Sequence, residues 1–74
     1  MKFAQVLRRE RLSRLMSQCE FAATLGIPPS TYVTWEQGKY LPSLGHMAQL
    51  LAFFPSFDET KRRIRGAYVK GKLG

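Results

Sequence analysis

The stretch Gly26-Ile27-Pro28-Pro29 constrains this chain more than any other. A residue that precedes proline is pushed toward extended backbone, and proline has no amide to donate, so no helix runs unbroken through it. Gly26 supplies the left-handed residue that ends one helix, and Pro29 suits the first position of the next. Two helical segments therefore meet here across a tight turn.

The segment before the turn announces its own start. Ser17-Gln18-Cys19-Glu20 is a capping box, in which the Ser17 hydroxyl accepts from the Glu20 amide while the Glu20 carboxylate reaches back to the Ser17 amide. A helix begins at Gln18, with Phe21 and Leu25 as its apolar stripe and Ala22 leaving room for another backbone. After the turn a helix is predicted from Pro29 to about Gln37, closed by Gly38. Its inner face is Tyr32, Trp35 and Glu36, spaced i, i+3, i+4. Ser30, Val33, Thr34 and Gln37 occupy the opposite face.

The remaining segments read as helices too. Phe3, Val6 and Leu7 fall at helical spacing from Phe3 to about Arg14, with Arg8, Arg9, Glu10 and Arg14 left for the outer face. Tyr40-Leu41-Pro42 is a loop, and Ser43 caps a helix with apolar positions Leu44, Met47, Leu50, Leu51 and Phe54, stopped by Pro55. Ser56-Phe57-Asp58-Glu59 is a second capping-box candidate, opening a fifth helix lined by Phe57, Ile64 and Tyr68 and ending near Gly71. No strand signal appears. The expected fold is all-α, a compact bundle of about five short helices in a single domain over residues 1–74, with a basic C-terminal segment over about 61–74.

Size and composition narrow the function. A chain of 74 residues buries only about 60% of the surface its unfolded form exposes, which leaves no second layer for a deep substrate cavity. An enzyme is disfavoured on that ground, and no acid, base and nucleophile stand at a motif spacing. Cys19 is the single cysteine and His46 the single histidine, so no internal disulfide and no zinc set is expected. Neither a metal nor another cofactor is called for, and no small-molecule substrate is evident. No run approaches the roughly 18 apolar residues of a membrane span, and the start at Met1-Lys2-Phe3 lacks a signal-peptide apolar run, so a cytoplasmic protein is expected. Twelve Lys and Arg against five Asp and Glu give a formal charge of +7, which suits a polyanionic partner such as nucleic acid.

The ordered set of pieces resembles the helix-turn-helix family of phage repressors and Cro proteins, the XRE family. The pieces are Leu7 and Arg11, then Ser17-Gln18, Phe21-Ala22, Leu25-Gly26, Ser30-Thr31, Trp35-Glu36-Gln37-Gly38 and Pro42-Ser43, covering roughly Leu7 to Phe54. The resemblance implies a sequence-specific, double-stranded DNA-binding transcriptional regulator. Its third helix would lie in the major groove while the second crosses the phosphate backbone. It also implies a homodimer on a palindromic operator, in the cytoplasm of a bacterial or phage-infected cell, at the nucleoid. Phe53, Phe57 and Leu73 are the apolar candidates for the dimer contact.

Carried over residue by residue, the family pattern makes Pro29, Ser30, Val33, Thr34 and Gln37 the base-contacting set. Gln18, Lys39, Tyr40 and Arg14 are the phosphate-contacting set, and Arg11 with Glu36 forms a structural ion pair. Pro29, Ser30 and Thr34 are none of the bidentate base readers Arg, Asn or Gln, so direct readout is expected to be thin. The run Lys61, Arg62, Arg63, Arg65, Lys70 and Lys72, with no acidic residue among it, either extends the phosphate-binding surface or is a solvated tail. Tyr32 and Trp35 are expected in the core, His46 as an ordinary surface or helix-end residue, and Cys19 as structural or incidental. Leu15 stands where the family commonly has glycine in the turn after helix 1, so the turn is expected to differ there. Pro28 cannot cap helix 3 as the family's usual side chain does. The alternative reading is a helix-turn-helix module that binds protein, such as a toxin, a polymerase subunit or another regulator.

Overall fold

The computed structural model describes residues 2–54 and 59–73. Five helices follow one another: α1 (Phe3–Ser13), α2 (Gln18–Leu25), α3 (Pro29–Glu36), α4 (Leu44–Ala52) and α5 (Glu59–Leu73). No strand occurs among the described residues. Leu7, Phe21, Tyr32, Leu50 and Ile64, one from each helix, are completely buried and meet in a single core. A core assembled from one side chain per helix ties every element to every other, which lets helices of two or three turns persist although none would be stable alone.

The predicted starts match the caps. Ser17 accepts from the Glu20 amide at 3.1 Å while the Ser17 amide donates to the Glu20 carboxylate at 2.9 Å, and Ser43 accepts from the His46 amide. The backbone amide of Ser17 and then its hydroxyl hold the Glu20 carboxyl below its ordinary range. Gly26 ends α2 in the left-handed region, φ 74°. A Cβ there would stand 2.7 Å from Nε2 of Gln49, so a side chain would also displace that amide from its partners. That amide donates to the carbonyls of Gly26 at 2.7 Å and Leu25 at 3.3 Å. Gln49 thus bolts α4 to the turn between α2 and α3.

Several expectations are corrected. Glu10, assigned to the outer face of α1, is buried. Positions 3, 6, 7 and 10 form one continuous helical stripe, and the fourth member happens to be charged. Its carboxylate receives Oγ1 of Thr60 at 3.0 Å and Nη1 of Arg14 at 3.1 Å, with Arg63 at 3.9 Å. Leu44, counted among the inward positions of α4, is 79% exposed, because the first turn of that helix projects past the core. The ends of α3, at Glu36 with Gln37 as its C-cap, and of α5, at Leu73, fall where they were expected, about Gln37 and near Gly71. The capping box at residues 56–59, the stop at Pro55 and the inward role of Phe57 lie outside the described residues.

The turn after α1 does not depart from a left-handed geometry: Leu15 itself takes φ 57° and is 93% exposed. An L-residue in that region costs about 1–2 kcal/mol, and this side chain contributes no packing in return. Replacing Leu15 with glycine should stabilise the fold by about 0.5–1 kcal/mol after the greater chain entropy of glycine is subtracted, or about 4 °C in Tm. Thermal unfolding followed by circular dichroism checks this, with Leu15→Ala as the control expected to change little.

Candidate nucleic-acid interface

α2, the turn at residues 26–28 and α3 form the helix-turn-helix, and the orientation of α3 is the feature on which any DNA-binding role depends. Tyr32 and Trp35 are buried, and the Glu36 side chain is only 4% exposed. On the other side Pro29, Ser30 and Gln37 are exposed, while Val33 and Thr34 are half-buried. The helix presents a small, uncharged, hydroxyl-bearing surface over an aromatic interior.

The orientation is enforced by an ion pair. Arg11 grips Glu36 with two parallel bonds, Nε to Oε2 at 2.7 Å and Nη2 to Oε1 at 3.0 Å, and its Nη1 donates to the Met16 carbonyl at 3.0 Å. Gln18 adds a longer bond from Nε2 to Oε1 at 3.4 Å. One carboxylate at the end of α3 therefore collects α1, the turn after it and the first residue of α2. A bidentate guanidinium–carboxylate pair fixes direction as well as distance. Burial alone would push the Glu36 carboxyl up, but the bonds and charge of Arg11 outweigh it and hold the group below its ordinary value. The same bonds raise the Arg11 guanidinium further above its already high range. The Tyr32 hydroxyl is buried beside this pair without a hydrogen-bond partner of its own. Its pKa is raised by burial first and by the close approach of the Glu36 carboxylate, then by that group's charge.

The four expected phosphate-facing residues are not equivalent. Lys39 and Tyr40 are exposed in the loop after α3. Gln18 is half-buried and already spends one donor on Glu36, which leaves its second amide hydrogen and its carbonyl for an outside partner. Arg14 is engaged within the protein: Nη1 donates to the Glu10 carbonyl and carboxylate, and its guanidinium lies 5.1 Å from the Phe54 ring centroid and 5.9 Å from that of Phe21. Among the base-facing candidates, the Thr34 hydroxyl donates to the Thr31 carbonyl at 2.7 Å, so toward an outside group it can only accept.

Pro28, the N-cap of α3, offers no side-chain acceptor, and a helix leaves its first amides without intrahelical partners. His46, expected as an ordinary surface or helix-end residue, is half-buried and packs edge-on against Trp35 at 5.4 Å. Glu10 and Gln49 escaped the sequence reading. Glu10 had a signal, its place on the apolar stripe of α1; Gln49 had none, because its partners are backbone carbonyls more than twenty residues away. Among the described residues no group of His, Cys, Asp and Glu is arranged to hold a metal ion, and no helix is long and apolar enough to cross a membrane.

Neither the curated proteins nor the solved structures contain a match to the chain. A family model described as helix-turn-helix matches residues 7–59, which takes in all of α2, α3 and α4 and most of α1. By that match, and by the fold just described, the chain belongs to the XRE-type helix-turn-helix family of Cro- and repressor-like DNA-binding regulators.

Proposed function

We propose that the protein is a small transcriptional regulator that binds double-stranded DNA sequence-specifically, with α3 in the major groove and α2 across the phosphate backbone. The observation that carries this reading is the two-sidedness of α3, aromatic and ionic inside, small and polar outside. A helix surface without long side chains allows close approach to base edges. The exposed Lys39 and Tyr40 and the partly free Gln18 amide take phosphates at its margins, and Pro29, Ser30, Val33, Thr34 and Gln37 face the bases. Arg14, half-buried and bonded to Glu10 beside the Phe54 ring, is already partly committed within the protein and contributes less to phosphate binding than Lys39, Tyr40 and Gln18.

Discrimination is then modest per half-site. Val33 and Thr34 offer methyl groups to thymine, and the Thr34 oxygen, its proton spent on Thr31, accepts from an adenine or cytosine amino group. The rest comes from DNA shape and from pairing two copies. A single copy carries one helix-turn-helix and reads one half-site, so a palindromic operator with half-sites about 34 Å apart calls for a homodimer.

Gel shifts on a binding site selected from random duplexes, at several salt concentrations, test the proposal. Lys39→Gln should weaken binding to all sequences alike and lower the log–log salt slope by about 0.9, as expected for one lost phosphate contact. Titration with duplex should move the amide resonances of residues 29–37. Resonances that stay in place there, with no shifted band at low salt, would overturn the DNA role and leave the protein-binding alternative.

A further inference from the structure

The fold divides the basic run of α5, to which the helix-turn-helix itself gives no role. At a rise of 1.5 Å per residue, Arg62 and Lys70 stand about 12 Å apart along the helix axis, farther than the Debye length of about 8 Å at physiological ionic strength. The two ends of α5 therefore act on an outside charge separately. Near the first end Arg63 answers carboxylates of the protein itself, Glu10 at 3.9 Å and Glu59 at 3.8 Å. At the last end Lys2, Tyr40, Lys70 and Gly71 border one depression that no carboxylate lines. Neither Lys2 nor Lys70 is paired with an acid among the described residues.

Contacts with the loop after α3 bring this end of α5 to the candidate interface. The Tyr68 hydroxyl donates to the Pro42 carbonyl at 2.8 Å, and a Cβ at Gly71 would stand 3.0 Å from Cδ1 of Leu41, so the loop meets the last turns of α5 at two points. Phe3 packs edge-on against Tyr68 with ring centroids 5.9 Å apart, which sets the first turn of α1, and Lys2 with it, beside the same turns. Lys2, Lys39, Tyr40 and Lys70 are all exposed. Ammonium groups from three separate parts of the chain thus lie in or beside one loop.

We propose that Lys2 and Lys70 bind DNA phosphates next to those met by Lys39 and Tyr40, so that each half-site is held along a backbone track running from the loop after α3 onto the start of α1 and the end of α5. The inference rests on the DNA-binding reading above and adds to it a surface outside the helix-turn-helix. Duplex DNA carries one negative charge per about 1.7 Å of its axis, so cations gathered around a docked loop have phosphates within reach. Lysine suits this task, because its flexible stem delivers a point charge without fixed geometry and carries no sequence information. Lys61 and Arg62, in the first turn of α5, lie outside the track.

Fluorescence anisotropy on the selected duplex and on a random one, read at several salt concentrations with the full chain, tests this. Lys2→Gln/Lys70→Gln should lower the log–log salt slope by about 1.8, two contacts at about 0.9 each, and should weaken binding to both duplexes by the same factor. Lys61→Gln/Arg62→Gln removes the same charge from the first turn of α5 and should leave the slope as in the parent. Both variants should melt with the parent, since none of the four side chains belongs to the core. Phosphate-ethylation interference gives a second readout: positions at the edge of each half-site that interfere with the parent should fall silent in Lys2→Gln/Lys70→Gln. An unchanged slope in that variant, where Lys39→Gln does lower it, overturns the inference and leaves the DNA reading standing. Equal losses in the two double variants also overturn it, because the effect would then be one of net charge alone. If the parent shows no salt-dependent binding to either duplex, the DNA reading fails and this inference with it.

Discussion

Replacing Arg11 with alanine is expected to cost about 3 kcal/mol of stability, because it strands a carboxylate that the fold has already taken out of water. The Arg11 and Glu36 side chains are 12% and 4% exposed, so Glu36 has no solvent to turn to when its partner is removed. For a domain of this size that loss corresponds to a fall in Tm of about 12 °C or more. Two further outcomes separate a stranded charge from a simple loss of packing. The double variant Arg11→Ala/Glu36→Gln should recover part of the loss, since a neutral amide tolerates the site better. The pH dependence should also change sign. In the parent, the folded-state pKa of Glu36 is depressed, so its contribution is fully present above the ordinary carboxylate range and disappears as pH falls through the lowered value. In Arg11→Ala the opposing bonds are gone and only burial remains, which raises that pKa above the unfolded value. The variant should then gain stability relative to the parent as the solution is acidified from neutral, because protonation neutralises the buried group. A melting temperature close to that of the parent at neutral pH would show that the pair contributes no more than a surface ion pair does.

The second large effect concerns the outer face of α3. Thr34→Glu is expected to weaken DNA binding at least about 100-fold, or about 2.7 kcal/mol, while leaving the fold intact. Thr34 is half-buried on the side away from Tyr32 and Trp35, and its hydroxyl bonds only to the neighbouring turn of its own helix, so the core does not depend on it. A carboxylate at that position would face the negative potential of the groove and the acceptors on the bases. Thr34→Val is the informative companion: it keeps a methyl group for thymine and removes the acceptor oxygen. It should therefore alter which base is preferred more than overall affinity. Circular dichroism confirms folding and fluorescence anisotropy on the selected duplex gives the affinity. Unchanged binding by Thr34→Glu would mean that α3 does not enter the groove, and the proposed mode of binding would fail.

Much of this architecture is legible in local residue chemistry. A capping box needs only two side chains three positions apart, a left-handed helix end needs a glycine, and a paired proline forbids a continuous helix. Each of these acts within one turn of backbone, so Ser17, Gly26, Pro29 and Ser43 mark their boundaries without help from the rest of the chain. The two faces of α3 were likewise legible, because helical periodicity alone separates Tyr32, Trp35 and Glu36 from Ser30, Thr34 and Gln37. The same rule, applied to hydrophobicity rather than to position, misplaced Glu10: a charged residue on an apolar stripe reads as surface until a distant helix brings Thr60 and Arg63 to it. Leu44 fails in the opposite direction, apolar and at an inward register but beyond the edge of the core.

Sequence by itself determined the breaks, the caps, the helical class and the membership of α3's residues in two opposed faces, since those follow from torsional limits and from contacts spanning at most four positions. Tertiary structure alone decided how Gln49 clamps the turn, that Arg14 lies over the Phe54 ring, and that Leu15 accepts a left-handed backbone. These depend on side chains reaching across distances in sequence over which no periodicity survives, and only the packed core sets which of them meet.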